Sequence, residues 1–322
     1  MQALLLVSPE DCHVLSAPDP LPQEEELRLR VTHCALCRTD AKLWAQGHRD
    51  LALPRIPGHE ICALNPEDGR RYVVWPGNAC GQCDSCLRNV ENLCSSMQIM
   101  GFHRDGGLAE WVCVRSENLL SLPKDLPANI AVLSEPLACG LNALQQLGAA
   151  PGESLIVYGA GAVGLLIALA AVDAGLNVRI CDRQPEKLDK SAAFRKKLGI
   201  DGVLFEKLAG KADAAVNATS APEAFRDAVR RLRSGGRLCF FSGISDQPSI
   251  PSQVLNDIHY RQLQVHGAYG CTRAQMRESL ALLCRFSESV PALIEQQVSL
   301  EEVPTLFPDI LQGKLLKSIV TF

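Results

Sequence analysis

The chain has 322 residues, 47% hydrophobic and 21% charged, which is enough apolar material for two packed cores and excludes a disordered chain. A formal net charge of −4 leaves no basic surface of the kind that nucleic acid requires. No internal repeat and no low-complexity tract interrupts it.

The N-terminus, M-Q-A-L-L-L-V-S-P-E-D, carries no basic leader, and its apolar run is too short for a signal core. Fourteen cysteines could in principle staple a secreted framework, yet Cys12, Cys62, Cys113, Cys181, Cys239 and Cys284 stand singly in apolar segments. Reduced, buried thiols are used in this way, so a cytoplasmic protein is expected.

Up to residue 139 the chain reads as short alternating runs, Leu27–Val31, Tyr72–Trp75 and Leu108–Val114, broken by Pro and Gly. That period of two predicts a mostly antiparallel β domain over residues 1–139. Two stretches in it carry metal-ligating residue types beside carboxylates. C-A-L-C-R-T-D holds Cys37 and Asp40, and P-G-H-E-I holds His59 and Glu60. Glu135 follows in S-E-P-L-A-C-G, where the chain leaves this domain. One Cys, one His and one carboxylate from three distant stretches make a three-ligand zinc site with an open fourth position. Taken singly, each has a plainer use, as a core thiol, a hydrogen-bonded loop histidine or a helix-capping acid.

Between His59 and Glu135 lies N-A-C-G-Q-C-D-S-C-L-R-N-V-E-N-L-C, which spaces Cys80, Cys83, Cys86 and Cys94 as C-x2-C-x2-C-x7-C. Zinc takes four thiolates in a tetrahedron, and two-residue gaps let consecutive cysteines wrap one ion while a longer loop returns the fourth. Gly81, Asp84, Ser85 and Asn89 supply the turn chemistry for that path. A closed four-thiolate site leaves no position for substrate, so this ion is expected to be structural.

From Leu155 to Ala174 the chain is nearly uncharged and about as long as a membrane span. Its glycines divide it. Leu155–Tyr158 reads as a buried parallel strand, Gly159-Ala160-Gly161-Ala162-Val163-Gly164 as G-x-G-x-x-G, and the rest as a buried helix ending near Gly175. A second strand, Asn177–Cys181, ends at Asp182, where a dinucleotide fold places the carboxylate that binds the adenosine ribose. Gly159 permits the tight turn, Gly161 the approach of pyrophosphate, and Gly164 the close packing of helix on sheet. Ala162 and Val163 open the helix, whose free N–H groups and positive dipole end face the phosphates. Asp182 favours NAD over NADP because a carboxylate repels the 2′-phosphate; Arg183 beside it could stack on adenine or pair with a phosphate.

The alternation continues through Gly202–Phe205, Asp213–Asn217, a helix over Pro222–Arg233, the strand R-L-C-F-F, Leu263–His266, and a helical run over Ala274–Phe286 that completes the doubly wound pattern. The nucleotide domain is expected over residues 140–271. Residues 272–322 end in a short helix and a strand, G-K-L-L-K-S-I-V-T-F, with no nucleotide motif, and are expected to rejoin the first domain.

The set C-A-L-C-R-T-D, G-H-E, the four-cysteine loop, D-G-G-L-A-E-W, S-E-P-L-A-C, G-A-G-A-V-G and N-D-I-H-Y resembles the zinc-dependent medium-chain dehydrogenase/reductase family, in its order and over essentially the whole chain. The resemblance implies a Rossmann domain joined to a GroES-like β domain, with two zinc ions per chain and NAD as cofactor. It places Cys37, His59 and Glu135 at the catalytic zinc, with Glu60 as alternative fourth ligand, Thr39 in the proton path and Arg38 on the cofactor pyrophosphate. Lys42 stands where several members carry a proton-relay histidine. E-P-L and I-H-Y are closer to the polyol and sugar dehydrogenase branch than to the simple alcohol branch. A secondary alcohol, whether a polyol, sugar phosphate or amino alcohol, would then give its hydride to NAD. His48, Trp44, Phe102 and His103 are candidate substrate neighbours. The family commonly forms dimers and tetramers, and neither membrane nor nucleic-acid partners are expected. Two other readings remain open: a reductase of activated double bonds on the same fold without catalytic zinc, and a non-enzymatic NAD(H) sensor that reports through its thiols. The segment between Glu60 and Cys80 is shorter than the family's usual two-strand excursion, so part of the β domain is trimmed.

Overall fold

The computed structural model describes residues 1–48, 50–244 and 249–322. The chain forms two compact units, Met1–Glu135 with Thr272–Phe322, and Pro136–Cys271.

The second unit is built on six parallel strands in the spatial order Asp201–Leu204, Asn177–Asp182, Ser154–Tyr158, Ala212–Asn217, Leu232–Phe240, Gln264–Gly267. The order reverses beside Ser154–Tyr158, which is the doubly wound arrangement whose ligand crevice lies outside the carboxyl ends of the strands. Leu155, Ile156 and Val157 are wholly buried, as strands covered on both faces must be. The apolar run from 155 is cut as its glycines require. The helix Ala162–Asp173 begins after the turn, and Gly164–Ala171 are buried in it. Among the described residues no helix is long and apolar enough to cross a membrane.

Two boundaries differ from the sequence expectation. The helix expected to reach Arg233 ends at Arg231, and the next strand begins at Leu232. It runs through Gly235, whose φ of 77° only glycine adopts readily, and its register on the neighbouring strand shifts between Ala212 and Ala214. The helix Arg273–Arg285, which follows the last strand of the parallel sheet, lies in the first unit.

The first unit is a mixed sheet in the order Ile294–Val298, Lys317–Thr321, Glu26–Ala35, Glu60–Leu64, Arg71–Val74, Leu119–Ser121, with Trp111–Arg115 also paired to Glu26–Ala35. Only the pair Ile294–Val298 and Lys317–Thr321 is parallel. The C-terminal strand therefore lies inside this sheet, against Glu26–Ala35. Leu4, Leu29, Val31, Ile61, Leu108, Val112, Phe307 and Val320 share one core, each contributing about 1.5–3 kcal/mol by burial. The strand expected over Leu108–Val114 is shorter. Leu108 instead gives its N–H to Pro57 O at 3.0 Å and receives Leu4 N–H at 2.9 Å, so the segment before Trp111 ties the loop at Pro57 to the strand Gln2–Ser8.

Candidate metal and nucleotide sites

The loop of Cys80, Cys83, Cys86 and Cys94 brings its four sulfur atoms within 4.8 Å of one another. Cys83 lies 3.5 Å from Cys86 and 3.8 Å from Cys94, and Cys80 lies 4.0 Å from Cys86. A tetrahedron with Zn–S bonds of about 2.3 Å has edges of about 3.8 Å, so the donor set fits zinc. Gly81 at φ 73° and Asn89 at φ 58° make the reversals. Backbone N–H groups of Cys80 and Ser96 point at Cys94 Sγ at 3.3 and 3.4 Å, and Cys83 N–H at Cys80 Sγ at 3.4 Å. Such donors favour thiolates, and the backbone donors of Cys86 and Ser95 lower the pKa of Cys83. Cys86 is pushed up, first by burial and then by the thiol of Cys83. Four sulfur atoms this close cannot all ionise without a cation among them.

The second group joins Cys37, His59 and Glu60, whose ligand atoms also lie within 4.8 Å of one another. Cys37 precedes the helix Arg38–Gln46, and Asp40 in its first turn organises the site. Asp40 is fully buried. Its Oδ2 accepts Cys37 N–H at 2.9 Å, its Oδ1 accepts Gly58 N–H at 3.3 Å, and the same Oδ1 lies 3.3 Å from His59 Nδ1. That placement leaves Nε2 as the ring nitrogen for a metal. Burial opposes charge on His59, yet the charge of Asp40 raises its pKa well above the ordinary value.

Glycines set the approach of His59. Gly58 has φ 98°, and a Cβ there would meet Cys34 Sγ at 2.8 Å. A Cβ on Gly106 would stand 2.1 Å from Gly58 O, and Gly107 gives its N–H to that same oxygen at 2.9 Å. The D-G-G-L motif therefore cradles the histidine turn. Asp105 at its start accepts Arg55 Nη1–H at 2.9 Å and Ile56 N–H at 3.2 Å, which holds the incoming loop.

Sequence reasoning missed Lys317. Its Nζ donates to Glu60 Oε1 at 2.8 Å, to Glu60 Oε2 at 2.7 Å and to Leu36 O at 3.2 Å. Glu60 is fully buried and Lys317 is 3% exposed. The available signal was a lysine inside the apolar strand L-L-K-S-I-V, a position where an unpaired charge is not tolerated.

The remaining expected residues lie as follows. Glu135 is half-buried in the first turn of the helix Ser134–Leu147 and is not one of the three grouped ligands, although its charge acts on Lys317. Thr39 is half-buried in the turn after Cys37. Lys42 is exposed at the surface, and partial desolvation of its ammonium, followed by the charge of Arg38, lowers its pKa. Arg38 is exposed and donates Nε–H to Leu311 O at 3.2 Å. Phe102 packs between His59 and His48, with ring centroids 5.7 and 5.5 Å away. His103 accepts Ile99 N–H at 3.1 Å, and Trp44 stacks on Phe307 at 5.7 Å, which makes it a packing residue.

In the other unit, the glycine turn shows three separate constraints. Gly159 has φ 109°, with Ala218 O 3.0 Å from where a Cβ would be. A Cβ on Gly164 would stand 1.9 Å from Gly159 O, so helix and turn touch there. At Gly161 nothing lies within 4 Å of a Cβ position. Internal packing does not demand that glycine, and the open space fits the backbone approach of a pyrophosphate. Ala162 and Val163 open the helix behind it. Asp182 Oδ2 accepts Ala160 N–H at 2.8 Å and lies 3.9 Å from Lys187 Nζ, while Oδ1 accepts Gln184 N–H at 3.0 Å. Its carboxylate thus also fixes the turn. Arg183 is exposed and 3.9 Å from Glu223.

Residues 23–124 match the family described as Alcohol dehydrogenase GroES-like domain, and residues 162–285 the family described as Zinc-binding dehydrogenase. The chain is 30% identical over 298 residues to D-altritol 5-dehydrogenase of Agrobacterium fabrum, which covers 87% of each protein. It is 30% identical over 322 aligned residues to an alcohol dehydrogenase of Geobacillus stearothermophilus, covering 92% of this chain and 91% of that one. Its fold matches that of galactitol-1-phosphate dehydrogenase from Escherichia coli with a TM-score of 0.89 at 21% identity, over 100% of both chains.

Proposed function

The chain belongs to the zinc-dependent medium-chain dehydrogenase/reductase family, and we propose that it transfers a hydride between a secondary alcohol of the polyol, sugar or sugar phosphate class and NAD. The observation that carries this reading is the meeting of Cys37 and His59, brought from two separate segments, with Glu60 beside them and the three ligand atoms within 4.8 Å of one another. A reductase without catalytic zinc has no use for that donor set.

Cys37 and His59 hold the catalytic ion, Glu135 is the third ligand, and the four-cysteine loop holds a second, structural zinc. When bound, zinc acts as a Lewis acid that stabilises about 12 kcal/mol of the negative charge left when an alcohol loses its proton. Thr39 takes that proton at its hydroxyl and passes it toward solvent by way of Lys42 or water. Asp40 fixes the ring of His59 and the turn of Cys37 together, so both donors arrive in one geometry. Gly161 and the N–H groups of Ala162 and Val163 receive the pyrophosphate, and Asp182 the adenosine ribose, which favours NAD over NADP. The similarity to D-altritol 5-dehydrogenase supports a polyol-like substrate. Exposed Leu255, Tyr260 and Val265 around the edge strand Gln264–Gly267 support a homo-oligomer. None of the fourteen cysteines is in a disulfide, which supports a cytoplasmic setting.

The test is an NAD-reduction screen across polyols, sugar phosphates and amino alcohols, with zinc counted per chain. Cys37→Ala and His59→Ala should abolish turnover yet leave NADH binding, and Glu135→Ala should be milder. Turnover at the normal rate by Cys37→Ala would sink the reading.

A further inference from the structure

We infer that Lys317 is a positioning residue that holds Glu60 off the catalytic metal and ties together the two turns that carry Cys37 and His59. The inference rests on the reading that Cys37, His59 and Glu135 hold a zinc ion. One ammonium makes both links. It donates to Leu36 O, on the residue before Cys37, and to both oxygens of Glu60, the residue after His59.

Charge balance gives the reason. Zinc held by one thiolate, one neutral imidazole and the carboxylate of Glu135 would be a neutral set. Glu60 and Lys317 form a second neutral set, buried beside it. Were Glu60 to join the ion, Lys317 would be left as an unpaired cation that is 3% exposed, and the ion would carry three anionic ligands. Stranding one member of a buried pair is strongly unfavourable. Both carboxylate oxygens are already committed at 2.7 and 2.8 Å, within the range of charge-assisted hydrogen bonds. The strand from Lys317 is itself anchored, since Leu36 N–H donates to Ser318 O at 2.9 Å and Ile319 pairs with Ala35. Lys317 thus sits on a rigid element directly behind the site.

The test uses the full-length protein with cobalt(II) in place of the catalytic zinc, because cobalt's visible bands report the number and type of ligands. Lys317→Met frees the Glu60 carboxylate, so its bands should shift from those of the unaltered protein. Lys317→Arg, which keeps the charge, should restore the original bands. The double variant Lys317→Met with Glu60→Gln removes both charges and should also keep the original bands. If the single variant does not fold, the double variant still decides. Altered bands in the double variant would make Glu60 a resting ligand and overturn the inference, as would unaltered bands in a folded Lys317→Met protein. Failure of the unaltered protein to take any metal beyond the four-thiolate ion would overturn both the inference and the dehydrogenase reading beneath it.

Discussion

Asp40 Oδ1 lies 3.3 Å from His59 Nδ1 while the other oxygen of the same carboxylate accepts the N–H of Cys37. One buried side chain thereby orients two candidate metal donors, Cys37 and His59, that stand 22 residues apart in the sequence with a helix and a loop between them. Replacing it with Asn keeps the shape but removes the charge. Asp40→Asn should lower catalytic-site zinc affinity about 10–100-fold and turnover with it. Metal competition against a chelator, read beside the NAD-reduction rate, checks this, and unchanged affinity would remove Asp40 from its assigned role.

The four-cysteine loop should respond differently. Cys83→Ser should release one zinc and lower the melting temperature of the protein, because three remaining ligands hold the ion poorly. Turnover should fall only as far as the folded fraction falls. Zinc counting with calorimetry decides it, and two zincs at an unchanged melting temperature would contradict a structural site.

The three glycines of the nucleotide turn predict a contrast. Gly164→Ala places a methyl 1.9 Å from Gly159 O and should cost at least about 1–3 kcal/mol of stability. Gly161→Ala meets nothing within 4 Å and should melt normally but bind NADH more weakly. Melting curves and NADH fluorescence titrations on the two variants separate them; equal effects on stability would refute the division of labour.

Asp182→Ala should weaken NAD binding and raise the relative use of NADP, because it removes both the ribose acceptor and the repulsion of a 2′-phosphate. It also strips Ala160 N–H of its acceptor, so some loss of affinity should appear for both nucleotides. A preference for NADP in the unaltered protein would invalidate the argument.

Acid stability offers an independent check on the second unit. Hydrogen bonds from the Ser154 hydroxyl and N–H, with Arg233 beside them, lower the pKa of Asp213 to about 2. A depressed carboxyl contributes stability that is present above its unfolded value near 3.9 and is lost as pH falls through 2. Asp213→Asn should therefore be destabilised at pH 7 and approach the unaltered protein near pH 2. Denaturant midpoints against pH test it, and a pH-independent difference would count against the ion-paired network.

Much of this architecture is legible in the residues themselves. The spacing of Cys80, Cys83, Cys86 and Cys94, the turn Gly159–Gly164 and the acid Asp182 are local patterns, and the chain cannot satisfy their bonding and backbone needs in many ways. Tertiary structure alone decided what Glu60 does. Its partner Lys317 is 257 residues away, and the contact exists only because the C-terminal strand pairs with Glu26–Ala35 in a register set by buried Ile319 and Val320. The same holds for Gly106 and Gly107, whose small size matters only against the backbone of Gly58, and for Leu108, which left its expected strand to bond Pro57 and Leu4. Local sequence determines which backbone shapes are cheap, whereas which distant groups must share a buried space is settled only when the strands find their register.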